Sequence, residues 1–215
     1  MSSALKSRRG FTLVEVVISV AVLTVTLGSV ALISKQGSEA WRMNMSIGAL
    51  DAKTERSLDR IIRFLETASG ADLQPNLTVV AHSDWIDFQE IIGYSAGNLT
   101  LGETRSLELE LSPGELDNGV DDNGNGLIDE TRVVLVENPG QPNERRVTIA
   151  RNVSEFLEGE FPNGNDDNGN GLDDEPGLCF DLTDDTLNVR LSMQKIGPDG
   201  NLLVRTLESS VTLLN

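Results

Sequence analysis

The chain has 215 residues, with 34 acidic against 17 basic side chains, a formal net charge of −17, one histidine and one cysteine. So acidic a surface repels phosphates, which disfavours a general nucleic-acid-binding role, and a lone Cys179 excludes an intrachain disulfide. With His82 as the only histidine, a His-based zinc site or a catalytic triad has little to draw on. The length fits one globular domain carried on a stem.

Lys6, Arg8 and Arg9 lead to Gly10, and an apolar run follows from Phe11 to Ile33 with one carboxylate, Glu15, near its start. As a helix this run rises roughly 35 Å at about 1.5 Å per residue, enough to cross a hydrocarbon core of about 30 Å. The bases ahead of it place the leader, residues 1–10, in the cytoplasm and the bulk of the chain outside. A charged side chain inside a bilayer costs at least about 2.5 kcal/mol, so Glu15 asks for a cation.

Gly10-Phe11-Thr12-Leu13-Val14-Glu15 resembles the cleavage and methylation signature of type IV pilins and type II secretion pseudopilins. The resemblance implies that a prepilin peptidase cuts after Gly10 and methylates the new amino terminus at Phe11. It also implies that Glu15 faces the N-terminal amine of a neighbouring subunit. A conventional signal peptide would instead be cut beyond its apolar run. The implied partners are other pilin or pseudopilin subunits, met through the stem helix, the prepilin peptidase and an inner-membrane assembly platform. The implied location is the inner membrane, single-pass, with the C-terminal domain in the periplasm or in an extracellular fibre. A signal anchor with a chance glutamate is the plain alternative.

Beyond the transmembrane part, residues 11–33, helical periodicity resumes at Leu50 and continues through Leu58, Ile61, Ile62, Leu65 and Ala68, with Arg56, Asp59, Arg60, Arg63 and Glu66 on the other face. Residues 34–70 are therefore expected as the amphipathic part of one long helix, stopping at Ser69-Gly70. No proline interrupts positions 11 to 70; Gly28, Gly37 and Gly48 are soft points. Trp41, Met43 and Met45 suit either a membrane interface or packing against neighbouring stems.

From 71 to 215 short alternating runs replace the helical period: 77–81, 85–89, 106–111, 132–136, 145–150, 178–182, 187–193 and 202–207, with a last strand toward Leu214. Turn residues such as Asn138-Pro139-Gly140 and Gly197-Pro198-Asp199-Gly200 separate them, favouring an antiparallel meander. The expected fold class is α+β: a long N-terminal helix packed on an antiparallel β-sheet. This layout too resembles the pilin family. Leu58-Asp59-Arg60-Ile61-Ile62-Arg63, the length beyond the stem and the apolar ending Val211-Thr212-Leu213-Leu214-Asn215 are most similar to its larger minor subunits, such as the J-type minor pseudopilin or W-type minor pilin.

An internal repeat is the second signal. Asp121-Asp122-Asn123-Gly124-Asn125-Gly126-Leu127-Ile128-Asp129-Glu130 recurs 45 residues on as Asp166-Asp167-Asn168-Gly169-Asn170-Gly171-Leu172-Asp173-Asp174-Glu175, each copy preceded by Asn-Gly, at Asn118 and Asn163. Calcium takes six to eight oxygens, and alternating Asp and Asn on a glycine-permitted turn direct oxygens inward. Asp121, Asn123 and Asn125 would supply side-chain oxygens, Leu127 a carbonyl, and Asp129 and Glu130 the closing carboxylates; Asp166, Asn168, Asn170, Leu172, Asp174 and Glu175 would do the same within loops spanning 117–130 and 162–175. The pattern resembles the first nine positions of an EF-hand and the short calcium loops of extracellular repeats. It departs at position twelve, where Arg132 and Gly177 stand, so Glu130 and Glu175, or a residue elsewhere such as Asp117, must complete the shell. Weak structural sites of about 10⁻⁴ to 10⁻³ M are expected. Plain Asn-Gly and Asp-Gly turns without any ion are the alternative.

Cys179 sits between Leu178 and Phe180 and reads as a buried structural thiol, and His82 as a surface or strand-edge residue. Nothing asks for an enzyme, and acid-base candidates for a metal-dependent hydrolase are lacking outside the loops. The leading functional expectation is a minor pilin-like subunit, processed and inserted by its stem into a type II secretion pseudopilus or type IV pilus. A membrane-anchored, calcium-dependent adhesin-like binding module is the second.

Overall fold

The computed structural model describes residues 12–95 and 98–213. Gly10, Phe11 and Leu214 lie outside the described residues. Helix α1 spans Leu13–Leu65 without a break. The chain divides into two compact units, one ending at Asn44 and the other beginning at Met45.

In the first unit the apolar side chains of α1 are exposed from Leu13 to Ile33. The helix is long and apolar enough here to cross a membrane. Ser19, Thr24, Thr26 and Ser29 each return their hydroxyl to the carbonyl four residues earlier, so their polar atoms are satisfied within the helix.

In the second unit Leu50, Leu58, Ile61 and Leu65 recur at helical spacing and are buried with Ile86, Phe88, Leu107, Val133, Leu135, Phe180 and Leu191 of the sheet. Each such side chain contributes about 1.5–3 kcal/mol on burial. The helix ends at Leu65, short of the expected stop at Ser69-Gly70. The reason is competition for main-chain partners: Thr67 O accepts from Ile91 N at 2.8 Å and Ser69 N donates to Gln89 O at 2.9 Å.

The strands are β1 (Trp85–Ser95), β2 (Asn98–Leu111), β3 (Thr131–Glu137), β4 (Arg145–Val153), β5 (Leu178–Thr183), β6 (Thr186–Ile196) and β7 (Leu202–Thr212). All pairings are antiparallel, in the order β1-β2-β3-β4-β6-β5, with β7 on β6. The expected strand at 77–81 is absent. Asn76 folds the chain into a turn there, its side-chain oxygen accepting from Thr78 N at 3.0 Å and its carbonyl from Val79 N at 2.9 Å. The meander also breaks after β4, which meets β6 through a single pair, Val153 with Met193. β5 has its own stretch of β6, from Leu178 opposite Leu191 to Thr183 opposite Thr186. The final strand continues as part of β7.

Two links between strands carry the repeat: residues 112–130 join β2 to β3, and residues 154–177 join β4 to β5. Where the second link enters β5, Gly177 N donates to Glu155 O at 2.8 Å and Gly177 O accepts from Ser192 N at 2.7 Å. A Cβ at Gly177 would collide with the Ser154 carbonyl.

Candidate functional site

At the start of α1, Glu15 is engaged by its own helix. Its carboxylate accepts from Thr12 N and Thr12 Oγ1, each at 2.8 Å, and Glu15 N reaches Thr12 Oγ1 at 3.3 Å. This reciprocal closure is a capping box, which satisfies orphan donors of the first turn. The sequence reading missed it, although Thr12-Leu13-Val14-Glu15 has the T-x-x-E spacing. Both Glu15 and the apolar flank around it are exposed in the unit they occupy.

In the β-sheet unit the two acidic loops have nearly the same hydrogen bonding. Asp121 accepts from Gly124 N at 2.7 Å and Asn125 N at 3.1 Å through Oδ1, and from Gly126 N at 2.8 Å through Oδ2. Asp166 does the same for Gly169, Asn170 and Gly171, at 2.5, 3.1 and 2.8 Å. The closing glutamates gather the asparagines: Glu130 Oε1 accepts from Asn123 Nδ2 at 2.9 Å and Asn125 Nδ2 at 2.6 Å, and Glu175 from Asn168 at 3.3 Å and Asn170 at 2.6 Å. Asn125 Oδ1 and Asn170 Oδ1 in turn accept from Leu127 N and Leu172 N. Asp121, Asn123, Asn125 and Glu130 thus come together, as do Asp166, Asn168, Asn170 and Glu175.

Asp129 and Asp174 are occupied otherwise. Asp129 accepts from the amides of Asn118 and Gly119 at 3.2 and 2.7 Å, and Asp174 from those of Asn163 and Gly164, each at 2.8 Å. Both aspartates have left-handed backbone, φ 46° and 51°. They tie the Asn-Gly entry of each loop to its exit.

The structure extends the repeat backwards to two glutamates that the sequence reading did not single out. Glu115 Oε1 accepts from Asn123 N at 3.0 Å, and Glu160 Oε1 from Asn168 N at 2.9 Å. Each follows a glycine at positive φ, Gly114 at 93° and Gly159 at 95°, a backbone conformation that a side chain would strain. The signal was present: Gly-Glu recurs at the same 45-residue displacement, ahead of each Asn-Gly pair.

The loops bury more negative charge than they neutralise. Glu115, Glu130 and Glu160 are 6 %, 1 % and 5 % exposed, and no base lies within ion-pairing distance of them among the described residues. Glu130 Oε2 and Glu160 Oε2 are buried without any hydrogen-bond partner. An unpaired buried carboxylate costs several kcal/mol in order-of-magnitude terms, roughly, unless it takes up a proton or a cation. The available donors are all oxygens or amides, which fits a hard cation such as Ca²⁺. Among the described residues no three His, Cys, Asp or Glu side chains form a metal cluster of their own. A shell in either loop would therefore combine carboxylate with amide and main-chain oxygens.

Neighbouring groups respond to this charge. Burial, then Asp117 and Asp129, push the Glu155 carboxyl up from its ordinary pKa. Burial, then Glu175, pushes the Cys179 thiol to about 12, so this buried cysteine is an inert packing residue. His82 is half-buried, and its Nε2–H donates to the Asp173 carbonyl at 2.9 Å, fastening the second loop to the segment before β1.

The start of the chain carries its similarity to known proteins. Residues 5–31 match the prokaryotic N-terminal methylation motif. This is the type IV pilin-like signal of a prepilin-peptidase substrate, and it points to a structural subunit that assembles with others of its kind. The motif and the apolar helix that carries it fit membrane anchoring. No curated protein and no solved structure matches the chain.

Proposed function

We propose that the chain is a pilin-like subunit of the larger minor kind, cut after Gly10, methylated at Phe11, and assembled by its stem into a type II secretion pseudopilus or a type IV pilus. The observation that carries this reading is the methylation motif at residues 5–31, continuous with a membrane-length helix. Apolar stems bury against one another, and the Glu15 carboxylate, preorganised by Thr12, meets a neighbour's amino terminus. The exported domain has no disulfide, and each acidic loop holds one Ca²⁺ that stiffens it. In the first loop Glu130, Asp121 and the asparagine amides supply the oxygens. An Asn amide keeps its shape on turning over, so Asn123 and Asn125 can exchange N–H for oxygen as the ion enters.

The test is co-expression of the full chain with a prepilin peptidase, followed by mass measurement of the mature protein. N-methylated Phe11 at the new terminus is expected. A product that retains its leader overturns the reading. Replacing Glu15 with Ala is expected to leave processing intact and to abolish incorporation into the fibre. The co-purifying components then separate secretion from pilus systems.

A further inference from the structure

Asn-Gly occurs six times in the chain, at Asn118, Asn123, Asn125, Asn163, Asn168 and Asn170, and all six pairs fall within the two acidic loops. This dipeptide carries a reaction of its own. The glycine nitrogen can attack the asparagine Cγ, since glycine has no side chain to hinder the approach. An N–Cγ bond forms, the Cγ–Nδ2 bond breaks, and ammonia leaves with the glycine's proton. Water then opens the cyclic imide to aspartate or isoaspartate. The net change is one water taken up and one ammonia released, with no oxidation or reduction. All six asparagines and their glycines are exposed, so burial does not keep water from them.

Hydrogen bonding holds them instead, and it is the same in every pair. Each glycine N–H donates to an aspartate: Gly119 to Asp129 at 2.7 Å, Gly124 and Gly126 to Asp121 at 2.7 and 2.8 Å, Gly164 to Asp174 at 2.8 Å, and Gly169 and Gly171 to Asp166 at 2.5 and 2.8 Å. Each asparagine Nδ2 also donates to a carboxylate: Asn118 and Asn163 to Asp122 and Asp167, Asn123 and Asn125 to Glu130, Asn168 and Asn170 to Glu175. Each asparagine Oδ1 accepts from the amide two residues on. The nucleophile, the leaving group and the carbonyl oxygen are thus fixed at once.

These bonds oppose ring closure at each stage. The glycine N–H must give up its proton to become a nucleophile, and an anion formed in contact with a carboxylate is disfavoured by the like charge. Losing Nδ2 as ammonia breaks a hydrogen bond to a charged acceptor, one of the stronger kinds. The product is a further carboxylate, and at Asn123 or Asn125 it would face Glu130, which is 1 % exposed.

We propose that the loop aspartates, Asp121 and Asp129 in the first loop and Asp166 and Asp174 in the second, are locks that keep the Asn-Gly pairs of the folded chain from deamidating. The role is independent of the calcium and assembly readings. It gives a task to Asp129 and Asp174, whose carboxylates are spent on the Asn-Gly entry of each loop.

The test uses the full chain in detergent, with a chelator so that no ion contributes, held at mildly alkaline pH and followed by peptide mass mapping. Each conversion replaces NH2 by OH and is read at its own asparagine. In the folded wild type all six sites should convert at least about tenfold more slowly than in the same chain unfolded in guanidinium, because only opened loops react. Asp121→Ala should speed Asn123 and Asn125 about tenfold and leave Asn118 within about twofold of wild type. Asp129→Gly should speed Asn118 alone; glycine suits the left-handed backbone there, φ 46°, so only the carboxylate is lost. The second loop, unchanged in both variants, reports an intact fold. If Asp121→Ala speeds the second loop as well, the milder Asp121→Asn decides: it retains one acceptor oxygen and should speed one of Asn123 and Asn125 but not the other, and equal rates overturn the lock. Folded wild type that converts as fast as the unfolded chain, or faster because the carboxylates act as bases, overturns it too. So do variants that convert like wild type, and a variant in which Asn118, Asn123 and Asn125 speed up together, since that is loosening of the whole loop.

Discussion

Glu130 and Glu175 close the same module 45 residues apart, and both are almost completely buried, at 1 % and 0 % exposure. Their surroundings differ. Glu175 has Arg190 at 3.8 Å, a guanidinium that also pairs with Asp181 and Glu208. Among the described residues Glu130 has no base within ion-pairing distance, and one of its oxygens is orphaned. The first loop is also better rooted: Leu127 is 3 % exposed in loop one, whereas its counterpart Leu172 is only half-buried. The same sequence module therefore occupies two electrostatic settings, and the contrast says in which loop the proposed ion would matter more.

The largest effect is expected at the module's twelfth position. Gly177→Ala should destabilise the β-sheet unit by roughly 3–5 kcal/mol, because its Cβ would strike the Ser154 carbonyl. The equivalent Arg132 carries a full side chain to Glu110 at 2.9 Å, so Arg132→Ala should cost far less. Denaturant unfolding of residues 45–215 measures both; equal costs would mean the two loop exits are alike after all. Next, Leu127→Ala should cost about 2–3 kcal/mol and Leu172→Ala less than about 1 kcal/mol, from their burial. Similar values would remove the difference in rooting.

Calcium sharpens the comparison further. At ten times its Kd an ion adds about 1.4 kcal/mol per site. Glu130→Gln should remove the larger share of the calcium-dependent rise in Tm, and in the absence of calcium it should leave stability unchanged or improved, because an unpaired buried charge is gone. Glu175→Gln should remove less, since Arg190 already neutralises part of that carboxylate. Equal losses would break the contrast, and no calcium heat at millimolar ion would sink the calcium proposal in both loops.

The smallest effect concerns Glu155, beside the first loop. Its folded pKa is raised, so the folded state holds a proton that the unfolded chain releases near pH ~4.3. The stability this confers is present below that pH and is lost as pH rises through the raised pKa. Glu155→Gln should flatten this slope in a series of Tm values against pH. Because the side chain is largely exposed, solvent screens the effect. A slope unchanged by the substitution would dissociate Glu155 from the charge of Asp117 and Asp129.

Much of the molecule was legible in the residues themselves. The apolar run, the periodicity of Leu50 to Leu65 and the α+β class follow from local pattern, because burial imposes spacings of 3.6 and 2 residues directly on the chain. The misreadings at 77–81 and at the helix end share one cause: an asparagine side chain and the edge of β1 compete for main-chain hydrogen bonds that local periodicity does not register.

By itself the sequence determined the membrane-length helix, the methylation motif and the twice-repeated acidic module, since each is written in contiguous residues. Only the tertiary structure decided which charges are answered. It brought Glu115 and Glu130 to the same asparagine, supplied Arg190 to one loop and, among the described residues, no base to the other, and fastened Lys53 of the helix to the Arg151 carbonyl of β4. Net charge is a sum over the chain, but the free energy of a charge depends on its burial and on what lies within a few ångströms, and that is set by the fold.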